Sequence, residues 1–387
     1  MKPTIRLIFL LSLVLIMWSA ACGPKDKVIK PEYPATIEEI DGVRTVHNPD
    51  YPKEGTFRYD LVTELVLGGP EAEGDAILVR PIQFRFDSLG NIYIMDWREV
   101  TIKVFDAEGN YIRSVGKQGQ GPGEFDTPAY FRIVDDFIYL LDSRHRKFSL
   151  LTLDGEYLKG FNIEGFSSAV DVAPDGTIYY GQMLNPEVEL SEKMQKVKTS
   201  FSLYQTDTAG ENRKILDEFR DRIQMKRVTQ SSSGVIGGIT STSREAYTTS
   251  WFIGPVGEIY SGYNQDYEFE VRDAKWNALL RFGRDFTPLP HPDYSPERGH
   301  PEFYPAFSDW REFFDEKGNL WLEQYPIDDV EEHVFDVFSP DGIYLRKVIV
   351  PEVLFDVKGD TAYGFVRDEE DYVLFKRYKM VLVEGDN

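Results

Sequence analysis

Short apolar strands that each carry one aromatic residue recur along this chain at Tyr93, Tyr139, Tyr179, Tyr260, Trp321 and Tyr363. The aromatics stand 46, 40, 81, 61 and 42 residues apart. Around each lies the same unit: an apolar strand, a turn built on Asp and Gly, the aromatic strand, a polar connection, another strand, a second Asp-Gly turn and a last strand. The clearest copy reads Phe84-Arg85-Phe86, turn Asp87-Ser88-Leu89-Gly90-Asn91 and strand Ile92-Tyr93-Ile94. It continues with a strand over 102–105, turn Asp106-Ala107-Glu108-Gly109-Asn110 and a strand over 111–115. The second copy has Ile138-Tyr139-Leu140, a strand over 148–153, turn Asp154-Gly155 and a strand over 157–161. Arg98 and Arg144 occupy the same offset in the two copies.

A unit this short cannot bury its apolar faces alone, so it must stack on its neighbours. A period of about 40 to 45 residues with four short strands is that of a β-propeller blade. The expected fold is therefore all-β, a six-bladed β-propeller with four-stranded antiparallel blades. The step of 81 is close to two periods, so seven blades is the alternative. Against it, residues 201–216 already supply the outer hairpin of the third unit, and 219–250 lacks a turn followed by an aromatic strand. A ring also needs its ends joined. The apolar stretch 57–67 is placed to complete the last sheet as an N-terminal closing strand and to cover an edge open to mispairing.

Hydrophobic residues make up 42% and aromatics 14%, which excludes a disordered chain. The formal charge of −22 argues against nucleic-acid partners, because a polyanion is repelled rather than steered in. The single Cys excludes a disulfide framework and a Cys-based zinc cluster.

That Cys has an address instead. Lys2 and Arg6 precede an apolar run over 7–18 broken only by Ser12, too short to span a membrane but suited to a signal-peptide core. Ser19-Ala20-Ala21 then lies directly before Cys22. The arrangement resembles a bacterial lipobox, with Ser19 where Leu is usual, and implies lipidation of Cys22. An ordinary secretory cut at the same place is the other reading. Residues 1–21 are thus expected to be a signal peptide and 22–55 a lipid-anchored linker, with prolines at 24, 31, 34, 49 and 52 and a small hairpin over 37–46 around Asp41-Gly42. The propeller is expected over 56–387.

Between the first two units the chain reads Val115-Gly116-Lys117-Gln118-Gly119-Gln120-Gly121-Pro122-Gly123-Glu124-Phe125. Pro122 interrupts it and the Walker Lys-Ser/Thr pair is missing, so it reads as a blade-to-blade crossover and not as a phosphate loop. Followed by an aromatic strand ending at Asp142, it is similar to an NHL-type repeat. The chain resembles the six-bladed NHL-repeat or TolB-like propeller lipoproteins of Bacteroidetes-type bacteria. The resemblance implies an exported lipoprotein of the cell envelope, outer-membrane or periplasm-facing, tied to the membrane by its lipid.

The a–b and c–d turns of a blade share one face of the disc, and the b–c and d–a connections share the other. The long segments 182–200, 219–250 and 283–309 all fall in the second class, so function is expected on that face. Residues 185–198 have Asn185 and Pro186 in N-cap and first-turn positions for a short helix. Residues 231–250 are rich in Ser, Thr and Gly, as a lid or as slack. Residues 286–305 hold six prolines with His291, Tyr294, His300, Phe303 and Tyr304, and Trp310 follows. Such loops suit stacking on a sugar or gripping a peptide; they equally suit packing over a blade edge. The b–c loops of units one and two are basic (Arg98, Lys103; Arg144, His145, Arg146, Lys147), and those of units five and six acidic (Asp328, Asp329, Glu331, Glu332; Asp368, Glu369, Glu370, Asp371). The polarity is either plain solvation or a mouth that orients an anionic or dipolar ligand toward Arg98 and Arg144.

The candidate ligand-binding residues are therefore Arg98, Arg144, His145, Arg146, His291, Tyr294, His300 and Trp310. Glycan, peptide or an envelope protein are the partners considered. The function expected is non-catalytic recognition with no cofactor. Related propellers include calcium-dependent lactonases and zinc-dependent lyases, so a metal-dependent hydrolase or lyase with its site in the central channel is the alternative. Three channel-facing carboxylates from separate blades could hold calcium, but the five His show no metal-pair spacing, and no serine nucleophile elbow is present. Labelled palmitate should be incorporated by cells making the native chain and not by those making Cys22→Ser; label on the Cys22→Ser chain would overturn the lipid anchor.

Overall fold

The computed structural model describes residues 33–385 apart from 71, 165–166, 185–190, 192, 194, 231–235, 243–246, 296–300 and 327–331. Six blades follow one another around a ring. Blade one is Pro81–Phe86, Ile92–Asp96, Thr101–Phe105 and Tyr111–Val115, and blade two is Pro128–Val134, Phe137–Asp142, Lys147–Thr152 and Tyr157–Asn162. Blades three, four and five begin at the inner strands Ser167–Val172, Thr249–Ile253 and Phe307–Phe314. Blade six is Asp356–Lys358, Thr361–Arg367, Val373–Gly385 and, as its outermost strand, Thr56–Leu67. The closing strand expected near the N-terminus is present. It runs antiparallel to Val373–Gly385, and its first residues also pair in parallel with Lys347 to Ile349 of blade five. Among the described residues no helix is long and apolar enough to cross a membrane.

The aromatic repeat explains why the blades stay together. Among the described residues, the buried apolar side chains fall into six clusters, one at each blade interface. Each contains or receives one repeat aromatic: Tyr93 packs toward blade two, Tyr139 toward three, Tyr179 toward four, Tyr260 toward five, Trp321 toward six and Tyr363 toward one. Because strand side chains alternate, the residues flanking each aromatic face the preceding blade. Ile92 and Ile94 thus join the cluster with blade six, and Ile138 and Leu140 the cluster with blade one.

Polar ties supplement this packing. Asp96, fully buried, accepts hydrogen bonds from the amides of Val79, Arg80, Arg98 and Glu99, fixing the incoming connection to the b–c turn. Asp142 does the same for Asp126, Thr127, Arg144 and His145. Between blades four and five, the buried Asp336 accepts from Tyr267, Tyr344, Gln324 and Arg284, whose Nη2 lies 2.8 Å away. Burial together with this carboxylate pushes both tyrosine hydroxyls well above their ordinary pKa.

The glycine-rich crossover folds as a compact loop. Gly116 has φ +78°, and a Cβ there would sit 2.1 Å from the ring of Phe125, which is 1% exposed. The backbone thus approaches a buried aromatic where only Gly fits. Lys117–Gln118 pairs in parallel with Glu124–Phe125, and the Glu124 carboxylate takes the Gly121 amide. The hairpin around Asp41-Gly42 is also formed, with φ of 53° and 76° at the turn.

Three expectations are corrected. The segment expected as a loop insertion over 219–250 is largely strand: Lys214–Gln230 and Ile236–Thr242 extend blade three to five strands, so the lid or slack expected over 231–250 is absent at 236–242, while 231–235 and 243–246 lie outside the described residues. The charged, weakly alternating sequence of these strands hides the pairing, which is set by Gln195–Thr206 alongside. The helix expected over 185–198 does not form at 195–198, which is strand; 185–190 lies outside the described residues. The hairpin is no free linker either, since Val43–Asn48 adds in parallel to Ala278–Arg284 and makes blade four six-stranded.

Deleting residues 56–67 should leave Val373–Gly385 as an open edge and give insoluble protein; a soluble chain with one cooperative melt would contradict closure. Asp336→Ala should cost about 3–5 kcal/mol in urea unfolding, as for loss of one partner from a buried ion pair.

Candidate functional site: the central channel

The inner strands of all six blades line one cavity of about 690 Å³. Its chemistry follows from register. The residue paired directly across from each repeat aromatic lies on the inner strand, giving Arg85, Arg132, Asp171, Phe252, Phe313 and Asp356 in blades one to six. Four charged positions therefore come from blades six, one, two and three, and two Phe from blades four and five. Trp251, Phe314 and Phe355 enlarge the aromatic side. The result is a lumen of mixed chemistry: the positions across from the repeat aromatics are charged in blades six, one, two and three and Phe in blades four and five, while Glu312 and Asp315 of blade five and Phe84, Phe86 and Phe365 of blades one and six also line it.

The charged positions are unevenly satisfied. Asp171 accepts from Tyr130 Oη at 2.5 Å, Arg132 Nη1 at 2.6 Å and the Ile253 amide at 2.9 Å. Burial beside Asp171 raises the Tyr130 hydroxyl; at Arg132 burial pulls the guanidinium down, but Asp171 and Tyr130 together outweigh it and raise it. Arg85 differs. Its Nη1 donates to its neighbour's carbonyl, Phe84 O, at 2.6 Å, and its Cζ lies 6.0 Å from the ring of Tyr130. Among the described residues no carboxylate lies within ion-pair distance of it, and burial lowers its pKa. In the adjoining blade six, burial raises the Asp356 carboxyl against the pull of Lys358 and Arg85, while Lys358 Nζ stands 3.8 Å from the centre of the Phe86 ring. Arg85 is thus a desolvated cation without a direct counter-ion, set opposite aromatic side chains.

The residues singled out from sequence lie elsewhere on the disc. Arg98 and Arg146 are exposed on b–c turns. Arg144 is 71% exposed and pairs with Asp126 at 3.0 Å. His145 Nδ1 contacts Asp142 at 2.9 Å. Lys103 is not a loop residue: it lies on a strand, 1% exposed, with Nζ on the Asp75 and Ile77 carbonyls and on Glu99. His291 is 7% exposed and packs against Tyr304 at 4.4 Å, and Tyr304 stacks on Tyr325. Tyr294 is exposed; His300 and the Trp310 side chain lie outside the described residues. In a six-membered ring blades one and two stand opposite four and five, so the arginine turns and the His291 loop do not converge. On the acidic side Glu332 pairs with Arg58 and Asp371 with Arg367; Asp328, Asp329 and Glu331 lie outside the described residues.

The channel residues carried a sequence signal that composition and loop length do not reveal. Arg85, Asp171, Phe252 and Phe313 each precede their repeat aromatic by eight residues, and Arg132 and Asp356 by seven. Among the described residues, no group of three or more His, Cys, Asp or Glu side chains is arranged to hold a metal ion.

Comparison with known proteins agrees on the fold. The family DUF5128, described as a 6-bladed beta-propeller, matches residues 75–234. Among solved structures, a member of the duf4221 family from Bacteroides vulgatus is similar at 13% identity and a TM-score of 0.52, covering 84% of this chain and 99% of that one. A putative exported protein from Bacteroides fragilis aligns at 14% identity and TM-score 0.49, over 87% of this chain and 99% of that one. Virginiamycin B lyase from Staphylococcus aureus aligns at 10% identity and TM-score 0.39, over 81% and 98%. No curated protein sequence matches. The chain is a six-bladed β-propeller.

The two channel arginines should respond oppositely to removal of charge. Arg132→Met strips Asp171 of a charged donor and should destabilise by about 1.5–3 kcal/mol. Arg85→Met removes a desolvated cation and should leave the melting temperature unchanged or raise it. Equal destabilisation by both would show that Arg85 is structurally paired.

Proposed function

We propose that this propeller is an exported recognition protein that binds, in its central channel, a small ligand bearing an apolar or aromatic ring and an anionic group. The observation that carries this reading is Arg85: a cation in a low-dielectric lumen, with no carboxylate in ion-pair range among the described residues, facing Trp251, Phe252 and Phe313. A buried charge costs free energy unless paired, and a carboxylate on the ligand would supply the forked acceptor that a guanidinium prefers. The aromatic side chains would take the ring, giving the mix of apolar surface and few polar anchors typical of small-molecule sites. The lipid expected at Cys22 would present the channel at the cell envelope. Glycan, peptide or envelope-protein partners on the loop face belong to the same recognition reading, without a comparable anchor.

The donor set does not favour the metal-dependent hydrolase or lyase. Asp171 is committed to Tyr130, Arg132 and backbone amides. Burial makes Asp356 a poorer carboxylate.

Calorimetric titration with benzoate, phenylacetate and indole-3-acetate tests the proposal, with the matching primary amides as neutral controls. At least one acid should bind, its amide about tenfold or more weaker, and Arg85→Gln should lose about 10- to 100-fold. Acid and amide binding alike, or Arg85→Gln binding unchanged, would overturn it.

A further inference from the structure

The interface between blades three and four is the one where the repeat fails, and a second cavity opens there. One residue after each repeat aromatic, the side chain turns back to fill the preceding interface. Ile94, Leu140, Tyr180 and Leu322 do so in blades one, two, three and five, all with no exposed surface. In blade six Gly364 takes the place, because a Cβ would meet the Val353 carbonyl at 2.4 Å. In blade four the residue is Ser261, and nothing replaces the missing side chain. The space is a slot of about 480 Å³, bounded by the blade-four sheet, by Thr45 and His47 of the added hairpin, and by Glu218 to Arg220 on the outer strand of blade three.

The slot has mixed polar and apolar walls, and carboxylates outnumber cations around it. Ser261 is 9% exposed, and its Oγ, turned into the slot, has no hydrogen-bond partner among the described residues. Glu270 and Arg281 on the wall satisfy each other at 2.7 Å. Three further carboxylates, Glu218, Asp266 and Glu268, all solvent-exposed, border the slot without ion-pair partners among the described residues. Arg220 is the opposing cation at the rim, its Cζ 5.6 Å from the ring of Tyr263. A neutral guest would gain nothing from the carboxylates, and an anionic one would be repelled. An ammonium group would meet them while a neighbouring hydroxyl bonds to Ser261.

We propose that the slot between blades three and four is a second binding site, which takes a small organic ammonium ligand of amino-sugar or diamine type. The Glu218, Asp266 and Glu268 carboxylates hold the ammonium, and Ser261 provides both the room and an inner hydrogen bond. This site is separate from the channel, so either can stand without the other.

The test is calorimetric titration of the purified chain with glucosamine and with 1,4-diaminobutane, using glucose as the neutral control. One of the amines should bind, and glucose should not. Ser261→Leu restores a large side chain of the kind that four other blades carry, so it should fold with an unchanged or raised melting temperature and bind the amine about tenfold or more weakly. Glu268→Gln keeps the shape, removes one charge and should also weaken binding. Failure of both amines to bind at about 10 mM, well into the range of the weakest specific sites, would overturn the proposal. So would equal affinity in Ser261→Leu and the native chain, or glucose binding as tightly as glucosamine.

Discussion

Everything in this molecule depends on each blade burying its faces against two neighbours. A four-stranded sheet of this length has apolar side chains on both faces and no layer of its own to cover them. The repeat aromatics solve this by always leaning toward the next blade, while the residues on either side lean back. Such an arrangement is stable only when the ring is closed. Closure falls to Thr56–Leu67, which pairs with the last long strand and touches blade five as well. The first and last strands of the ring are thereby locked by ten backbone pairings rather than by a covalent link.

A less obvious consequence is a polar layer within every interface. The third-strand residue across from Ile94, Leu140, Tyr180, Ser261, Leu322 and Gly364 is Lys103, Ser149, Tyr204, Glu270, Asp336 and Lys376. Each interface must satisfy that group by its own means. Lys103 uses two carbonyls and Glu99; Asp336 uses two tyrosines, an amide and an arginine; Glu270 uses Arg272 and Arg281. Where the neighbouring side chain is large, the polar group is sealed in. Where it is Ser261, the layer stays open and becomes a slot. The channel shows the same logic at the inner strands, with Arg132 and Asp171 answered and Arg85 left to the lumen.

Much of the architecture was legible because it is periodic and local. The aromatics, the Asp-Gly turns, the hairpin at Asp41-Gly42 and the closing strand are short-range patterns that survive translation into structure. The long strands over 214–242 were not legible: their charged sequence carries no turn signal, and only the strand Gln195–Thr206 beside them decides that they pair. Lys103 shows the same limit. Its charge suggests a loop, yet the Asp75 and Ile77 carbonyls make a buried ammonium affordable. The candidate site suffered most, because exposed loops advertise themselves by length and composition. Inner-strand residues are marked only by a fixed offset from an aromatic.

By itself the sequence determined what each unit is: strand, turn, aromatic strand, and the period at which they recur. Those properties rest on side-chain alternation and turn chemistry within a few residues. Only the tertiary structure decided which groups face one another across the ring. It set Arg85 opposite aromatic side chains, gave Arg132 its Asp171, and left Ser261 facing empty space. Such pairings join residues far apart in the chain, and the energies that matter, desolvation and charge compensation, are fixed by what lies across the gap.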